Sequence, residues 1–292
     1  MKKLNIILAF LLTVSAQAQP QEKDTLAVSD FIATYIYQCH TQDADGKDVT
    51  DSIQLSLQVS GNLWKCSPDD KSEGVIANDQ AYQEALMHVP TLWMGYPEGC
   101  ITSHETLFPY IYETQEVRQP ISWDIASTDT LTIEGYLCHR ATATYKGKVW
   151  VAWYTEDIPS SAGPWKLGGL PGLILRAEDR EGIHSFTLNG LLQEQQPIVF
   201  QHYRSALAFN QGTFTRQRFD FQKMEHGKFL KFKKKIFGNK LYPQHPNFYA
   251  PNALGTFGSV EHWQGTGGRT IQRANGVVML DKAHVYQPLE LK

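Results

Sequence analysis

Residues able to bind a metal or attack a substrate are scattered in this sequence. Two of its four cysteines are followed directly by histidine, in Cys39-His40 and Cys138-His139. Neighbouring residues of a β-strand point to opposite faces, so one metal ion does not easily take both members of such a pair. The CxxC spacing typical of zinc sites does not occur either. The sequence therefore predicts no metal site and no cofactor.

The other catalytic patterns are incomplete. His104-Glu105 begins like a zinc-protease helix, but position 108 is Phe instead of the second histidine. The run Gly265-Thr266-Gly267-Gly268 lacks the spacing and the lysine of a phosphate-binding loop. Glu156-Asp157 and Glu178-Asp179 are adjacent carboxylates near predicted turns, whereas an acid–base pair must converge from separate elements. No recognisable active site is present, so catalytic residues are not predicted.

The first eighteen residues have the order of a secretory signal. Lys2 and Lys3 precede an apolar run over 4–14, and Ala16-Gln17-Ala18 supplies small residues for cleavage before Gln19. The apolar run has about half of the roughly 20 residues needed to span a bilayer, and no later stretch is apolar enough to do so. No cysteine lies near the cleavage site, so no lipid anchor is expected. We expect a periplasmic or secreted protein that is not a lipoprotein.

Export favours disulfides between the cysteines, since thiols oxidise outside the cytoplasm. We favour Cys39 with Cys66 and Cys100 with Cys138 among the three pairings. Each of these bonds closes a loop whose entropic stabilisation is about 3 to 4 kcal/mol. Buried free cysteines are the alternative.

The composition is that of a well-packed globular protein. The net charge is −3, and the basic residues are dispersed, which argues against a nucleic-acid partner. Aromatic residues make up 12% of the 292 residues and include seven tryptophans, so a sizeable core is expected.

Strands and turns dominate the pattern along the chain. An opening hairpin is predicted from Phe31–Cys39 and Ser52–Val59, with a turn at 43–47. A short helix is predicted over 78–89, where apolar residues recur at helical spacing. Further strands are predicted over 106–112, 121–125 and 131–135.

The stretch 138–155 is predicted to form a β-hairpin around a two-residue turn at Lys146-Gly147. The expected pairs are Tyr145 with Lys148, Ala143 with Trp150, Ala141 with Ala152, His139 with Tyr154, Thr142 with Val151 and Arg140 with Trp153. Small alanines leave room for the Trp150 ring, and Arg140 is placed beside Trp153. Both faces of the hairpin therefore have neighbours to contact.

A glycine- and proline-rich stretch follows the hairpin. It contains Gly163-Pro164-Trp165-Lys166 and Gly169-Leu170-Pro171-Gly172-Leu173-Ile174. Glycine takes backbone angles closed to other residues and Pro171 fixes its own torsion, so 170–172 is predicted to be a tight bend between strands. Two interpretations stay open: a corner of the sheet that packs Trp165, which we favour, and a loop that presents Trp165 to a ligand.

Together with Gly135-Tyr136-Leu137-Cys138 before the hairpin, this stretch resembles the GLPGLI family of exported proteins from Gram-negative bacteria. The resemblance extends over about 123–188 in order and spacing, and the closing residues 286–291 are similar as well. The family has no assigned activity or cofactor. The resemblance therefore implies an envelope protein of unassigned function.

The run Lys228–Lys240 is predicted to be a basic amphipathic helix. Six lysines are interleaved with apolar residues, of which Phe229, Phe232 and Ile236 share one stripe. The stripe is expected to dock on the sheet while the lysines face water. A peripheral contact of the lysines with anionic lipid or an acidic partner is the functional alternative.

The predicted fold is mainly β: an antiparallel, strongly curved sheet or open half-barrel with one or two short helices and a C-terminal helical extension. The predicted division is a signal peptide at 1–18, a GLPGLI-type β domain at 19–200, and a C-terminal extension at 201–292 on or beside the same domain. Such a sheet resembles that of envelope carriers of lipid-like cargo, and this part of the fold prediction is an analogy instead of a deduction from the residues.

Two functions from different classes follow. The first is a non-catalytic exported envelope protein that binds a hydrophobic ligand or another envelope protein, with Trp150, Trp153 and Trp165 lining the surface involved. The second is a hydrolase whose histidines and carboxylates converge only in three dimensions. A cleft holding His and a carboxylate within hydrogen-bond reach favours the hydrolase, and an apolar pocket without such groups favours binding.

Overall fold

The computed structural model describes residues 23–43, 45–69, 88–107, 110–210, 213–238, 249–251, 257–263, 271–273 and 284–291. The predicted signal sequence at 1–18 lies outside these ranges. So does the predicted helix at 78–89, apart from its last two residues. Both stay predictions.

The described chain is mainly β, with nineteen strands and one helix. The strands are β1 (Lys23–Val28), β2 (Phe31–Gln42), β3 (Asp48–Ser60), β4 (Leu63–Pro68), β5 (Thr91–Met94), β6 (Cys100–Leu107), β7 (Tyr110–Val117), β8 (Thr130–Ile133), β9 (Tyr136–Tyr145), β10 (Lys148–Thr155), β11 (Leu173–Asp179), β12 (His184–Leu192), β13 (Pro197–Gln201), β14 (Tyr203–Asn210), β15 (Thr213–Asp220), β16 (Gln222–Lys223), β17 (Tyr249–Pro251), β18 (Phe257–Trp263) and β19 (Ile271–Arg273). The helix is α1 (His226–Gly238). The predicted mainly β fold is confirmed, and its curvature into a half-barrel stays a prediction.

Twelve strands form the main sheet, in the order β16-β7-β6-β5-β4-β3-β2-β12-β11-β10-β9-β8. All neighbours in it are antiparallel except β16, which runs parallel to β7. Smaller sheets are formed by β1 with β13, by β14 with β15, and by β17 to β19. Beyond residue 201 the described chain thus contains strands besides α1, which the prediction of a helical extension did not include.

The two predicted hairpins are confirmed. The opening hairpin is β2–β3, and β9 pairs with β10 in the predicted register, including Ala143 with Trp150 and Arg140 with Trp153. Lys146 and Gly147 both have positive φ, of 52° and 85°, as a two-residue hairpin turn requires. The predicted strand at 106–112 is wrong, because Leu107 ends β6 and Tyr110 begins β7. In 121–125 only Asp124 makes a bridge, to Thr142.

One face of the main sheet, the core face, is buried. Along β3 the buried positions alternate from Asp51 to Val59, and along β10 from Lys148 to Tyr154. The core side chains from nine strands join those of the loop after β10. The largest of them are Trp64, Trp150, Trp165, Tyr35, Tyr37, Phe186, Leu55, Leu57, Leu92 and Met94. The opposite face is called the outer face below.

The small β1–β13 sheet contacts the outer face near β5 and β6. Ile198 and Phe200 of β13 pack on Trp93, whose indole N–H donates to the Val199 carbonyl at 3.0 Å. His104 is buried in the same place, 4.7 Å from the Trp93 ring and within 3.0 Å of the Glu113 carboxylate. Residues 197–201 thus cover part of the outer face.

The glycine- and proline-rich residues 163–174, called the GLPGLI stretch, lie against the core face. Trp165 is 1% exposed, and its backbone N–H lies 3.4 Å from the Cys66 sulfur. Gly169 has φ of +88°, where a residue with a Cβ is strained. Gly172 approaches the end of β10 so closely that a Cβ on it would lie 1.8 Å from the Thr155 carbonyl oxygen. Among the other motif residues, Leu170, Leu173 and Ile174 are buried and Pro171 is exposed.

The predicted disulfides are wrong, since all four cysteines are free. Cys39 and Cys66 lie on β2 and β4, with β3 between them, and they face positions on β3 that are six residues apart. That offset alone amounts to about 20 Å along the strand, whereas the Cα atoms of a disulfide are at most about 7 Å apart. Cys100 and Cys138 lie on β6 and β9, with seven strands between them in the sheet.

Among the residues that the structure describes, no helix has both the length and the apolar character needed to cross a membrane.

Candidate functional site

The residues 284–291, called the C-terminal segment, cross the core face and cover a group of ionisable side chains. The Val285 N–H donates to the Gln42 carbonyl at 2.7 Å, and the Leu291 N–H donates to the Lys146 carbonyl at 2.9 Å. Between these ends Leu289 is buried in the core. The segment therefore runs from the far end of the β2–β3 hairpin to the β9–β10 turn.

Asp51 is the centre of the first cluster. Its side chain is fully buried, and one oxygen, Oδ1, lies 2.5 Å from His284 Nδ1. The second oxygen, Oδ2, lies 3.5 Å from His88 Nε2 and has no hydrogen-bond partner in the described structure. The other nitrogen of His88, Nδ1, lies 3.0 Å from the Gln287 carbonyl. Cys39 stands directly opposite Asp51 on β2 and is equally buried.

His184 continues the cluster along the segment. Its Nδ1 lies 2.9 Å from the Tyr37 hydroxyl and its Nε2 lies 3.2 Å from the Pro288 carbonyl. The His184 backbone N–H donates to Asp179 Oδ1 at 2.9 Å, and Lys148 Nζ donates to Asp179 Oδ2 at 2.7 Å. Lys148 and Asp179 are thus a buried ion pair with further hydrogen bonds, the arrangement that a buried pair needs to be tolerated.

A second cluster of charges lies where the C-terminal segment ends. Lys146 and Lys166 both form ion pairs with Glu116 of β7 and with Glu290. His226, at the start of α1, lies 2.9 Å from Glu290. Two lysines and two glutamates balance in charge, so this cluster joins the hairpin turn, the GLPGLI stretch, β7 and α1 to the C-terminal segment.

The helix α1 contributes a further buried charge. Phe229 is buried against Leu107 and Tyr112, as the apolar stripe predicts. Lys233, expected to face water, is instead buried, paired with Glu105, and placed with its Nζ 5.1 Å from the centre of the Tyr286 ring. The helix is therefore confirmed, but one of its lysines points into the protein.

Burial dominates the electrostatics of these groups. It raises the pKa of the Cys39 thiol to about 12, with the Asp51 charge adding to the effect. It lowers the pKa of His88, against the opposing effect of Asp51, and lowers the pKa of His184 to about 2 and of Lys233 to about 7. For Asp51, burial acts to raise the pKa, but the neighbouring histidines, His284 above all, outweigh it and the pKa is lowered.

Cys39, His88 and Asp51 do not have the geometry of a catalytic triad. In a triad the histidine uses one nitrogen for the nucleophile and the other for the carboxylate. Here His88 Nδ1 is taken by the Gln287 carbonyl, and only Nε2 faces Asp51. A thiol pKa raised to about 12 is also the opposite of what a nucleophilic cysteine requires. The cluster therefore has no activated nucleophile.

The three tryptophans predicted to line a binding surface lie in different environments. Trp150 and Trp165 are buried against each other in the core, with ring centres 5.6 Å apart. Trp153 is partly exposed on the outer face. Of the three, only Trp153 keeps part of its surface exposed, and it also packs against the core cluster.

A depression of about 520 Å³ lies beside the first cluster. Mainly polar side chains of the β2–β3 hairpin and the C-terminal segment line it: His40, Thr41, Gln42, Asp48, Val49, Thr50, Val285 and Gln287. This lining does not match the apolar pocket expected for a hydrophobic ligand. His40 and Cys39 point to opposite faces of β2, as strand geometry predicts.

Comparisons with known proteins assign no activity. A family model described as "Protein of unknown function (Porph_ging)" matches residues 144–176, which include the motif at 169–174. The GLPGLI name is not the name of that model. No curated protein matches the chain.

The solved structures that match the chain include two crystal forms of PNGF-II. The first has a TM-score of 0.45 at 14% identity and covers 71% of this chain and 33% of that one. The second has a TM-score of 0.42 at 14% identity and covers 70% and 33%. A DUF1329 family protein from Desulfovibrio piger has a TM-score of 0.18 at 11% identity and covers 65% of this chain and 79% of that one. The chain thus spans about a third of PNGF-II.

Proposed function

We propose that this is an exported, non-catalytic envelope protein that binds another envelope protein through the outer face around Trp153. The observation that carries the proposal is the row formed by Arg140, Trp153 and Arg176 on three neighbouring strands. Paired residues of adjacent strands share a face and lie about 5 Å apart, so the indole has a guanidinium-bearing side chain on each side.

The composition of this surface is typical of protein interfaces. Val149, Val151 and Trp153 form an apolar stripe along β10, and all three are partly exposed. Arg140 and Arg176 flank the stripe and keep about a third or more of their side chains exposed, 34% and 41%. Tryptophan and arginine are the residues most enriched at binding hot spots, and a polar rim around an apolar centre is the usual anatomy of an interface.

The alternatives have less support. A hydrophobic ligand needs an apolar cavity, whereas Trp150 and Trp165 fill the core in the described structure and the nearby depression is lined mainly by polar groups. A hydrolase needs an accessible, activated pair, whereas Asp51 and His88 are buried and Cys39 has a raised pKa. Export, predicted from residues 1–18, is part of the proposal.

Site-specific photo-crosslinking tests the proposed surface. A photoreactive residue replaces Val151 on the stripe or, as a matched control, Ser52 on the outer face of β3. The full chain carrying this residue is produced in bacterial cells with an intact envelope. We expect a discrete adduct from position 151 in the envelope fraction, weaker at 52, and lost when Trp153→Ala is added. Equal labelling at both positions, or an adduct unaffected by Trp153→Ala, would refute the proposal.

A further inference from the structure

Three potential metal ligands meet beneath the C-terminal segment. Cys39 Sγ, a carboxylate oxygen of Asp51 and a ring nitrogen of His88 all lie within 4.8 Å of one another. Cys39 and Asp51 are directly paired on β2 and β3, and His88 reaches them from the segment before β5. All three residues are buried, with the Asp51 side chain at 0% and the His88 side chain at 2% exposure.

The hydrogen bond on the far side of His88 determines which nitrogen is free. A carbonyl oxygen only accepts, so His88 Nδ1 must carry the proton that it shares with the Gln287 carbonyl at 3.0 Å. Neutral imidazole carries one proton, so the lone pair is at Nε2. This second contact is the kind that orients metal-bound histidines in proteins.

Two electron pairs therefore face each other inside the protein. His88 Nε2 points at Asp51 Oδ2 across 3.5 Å, and that oxygen is buried without any hydrogen-bond donor in the described structure. A buried acceptor without a partner destabilises the folded protein, and a cation between the two atoms removes that cost.

We propose that Cys39, Asp51 and His88 are the protein ligands of a divalent transition-metal ion, and that the ion is zinc. Thiolate, imidazole and carboxylate are the three ligand types of protein zinc sites. The thiolate and the carboxylate together cancel the charge of a divalent ion, so the filled site is neutral, as a buried position requires. Metal binding releases the thiol proton of Cys39 to solvent.

His284 is a positioning residue in this proposal. Its Nδ1 holds Asp51 Oδ1 at 2.5 Å, which directs Oδ2 towards Cys39 and His88. Loss of such outer contacts typically weakens metal binding 10- to 100-fold. The site is independent of the outer face and of the proposed partner.

A second group of potential ligands, Glu116, His226 and Glu290, is a weaker candidate. Lys146 and Lys166 already pair with both carboxylates and neutralise them. A metal ion there would have to displace two ammonium groups. This group serves as the competing site in the experiment.

Cobalt titration of the full chain, reduced and stripped of metal, tests the proposal. A cysteine ligand gives a thiolate-to-cobalt charge-transfer band in the near ultraviolet, which oxygen and nitrogen ligands do not give. We expect one Co²⁺ per chain with this band, and its loss on adding one equivalent of Zn²⁺. Cys39→Ser should abolish the band, whereas Cys66→Ser, at an equally buried cysteine, should keep it.

The remaining outcomes separate the site from its alternatives. His284→Ala is expected to weaken Zn²⁺ binding about 10- to 100-fold while one equivalent still binds. Zn²⁺ should also raise the melting temperature of the wild-type chain. Failure of the folded wild-type chain to bind either ion would overturn the proposal. So would Co²⁺ binding without the band, which assigns the ion to the Glu116 group, or persistence of the band in Cys39→Ser.

Discussion

Gly172→Ala should destabilise the protein far more than Gly169→Ala, although both glycines belong to the same motif. A Cβ at Gly172 would lie 1.8 Å from the Thr155 carbonyl oxygen and 2.9 Å from the Glu156 Cα, so backbone must move. At Gly169 a Cβ would meet nothing within 4 Å, and only the φ of +88° opposes alanine. The two variants therefore separate a steric clash from backbone strain.

The structure indicates which of the two substitutions lowers the free energy of unfolding more. Overpacking costs about 1 to 3 kcal/mol and occasionally more, and we place Gly172→Ala at about 3 kcal/mol or above because the neighbouring atoms are backbone. Moving them also disturbs the pairing of Thr155 with Leu173, where β10 meets β11. A left-handed conformation costs a residue with a Cβ about 1 to 2 kcal/mol, which is the expectation for Gly169→Ala.

Urea unfolding followed by circular dichroism gives the free energy of unfolding of both variants, and thermal unfolding gives their melting temperatures. For a chain of this size, 3 kcal/mol corresponds to a melting temperature lower by roughly 6 to 12 °C. Equal stabilities for the two variants would refute the steric argument. A Gly172→Ala protein that melts like wild type but loses its partner would show that the motif binds instead of closing the core.

Two further predictions concern buried groups. A thiol reagent should titrate four cysteines in the unfolded chain. In the native chain it should react only with Cys100, the one cysteine that is not buried. Fewer than four reactive thiols in the unfolded chain would indicate a disulfide. The free energy of unfolding should fall as the pH drops below about 6.5, by at most about 1.4 kcal/mol per pH unit for each histidine whose pKa burial lowers. Urea unfolding with a chelator present measures this dependence. Burial lowers the pKa of His104, so the unfolded state binds more protons there, and His104→Gln should reduce this slope. A free energy of unfolding that does not change between pH 7 and pH 5 would contradict the lowered pKa of the buried histidines.

Local patterns sufficed for much of the sheet. The β9–β10 register follows from Lys146-Gly147 and the alternation on both sides of it, because a two-residue turn fixes the pairing. The prediction failed at 106–112, where Phe108-Pro109 separates β6 from β7 and apolar residues on both sides mimic one strand. Short apolar runs do not show where a hairpin turns.

The candidate site was not predicted, because it depends on contacts that are distant in sequence. Asp51 and His284 are 233 residues apart, and only the crossing of the C-terminal segment joins them. A signal was nevertheless present. Asp51 and Lys148 occupy core-facing positions of alternating strands, where an ionisable residue is rare unless it has a partner. The disulfide prediction failed for the same reason, since spacing says nothing about strand order.

The C-terminal segment is docked on the core face, where it closes both ionisable clusters. Amide hydrogen exchange of the full chain, resolved by mass spectrometry over 284–291, measures this docking. The N–H groups of Val285 and Leu291 donate to Gln42 and Lys146, so these two amides should be protected from exchange. Exchange of these amides at the rate of an unfolded peptide would show that the segment is not docked.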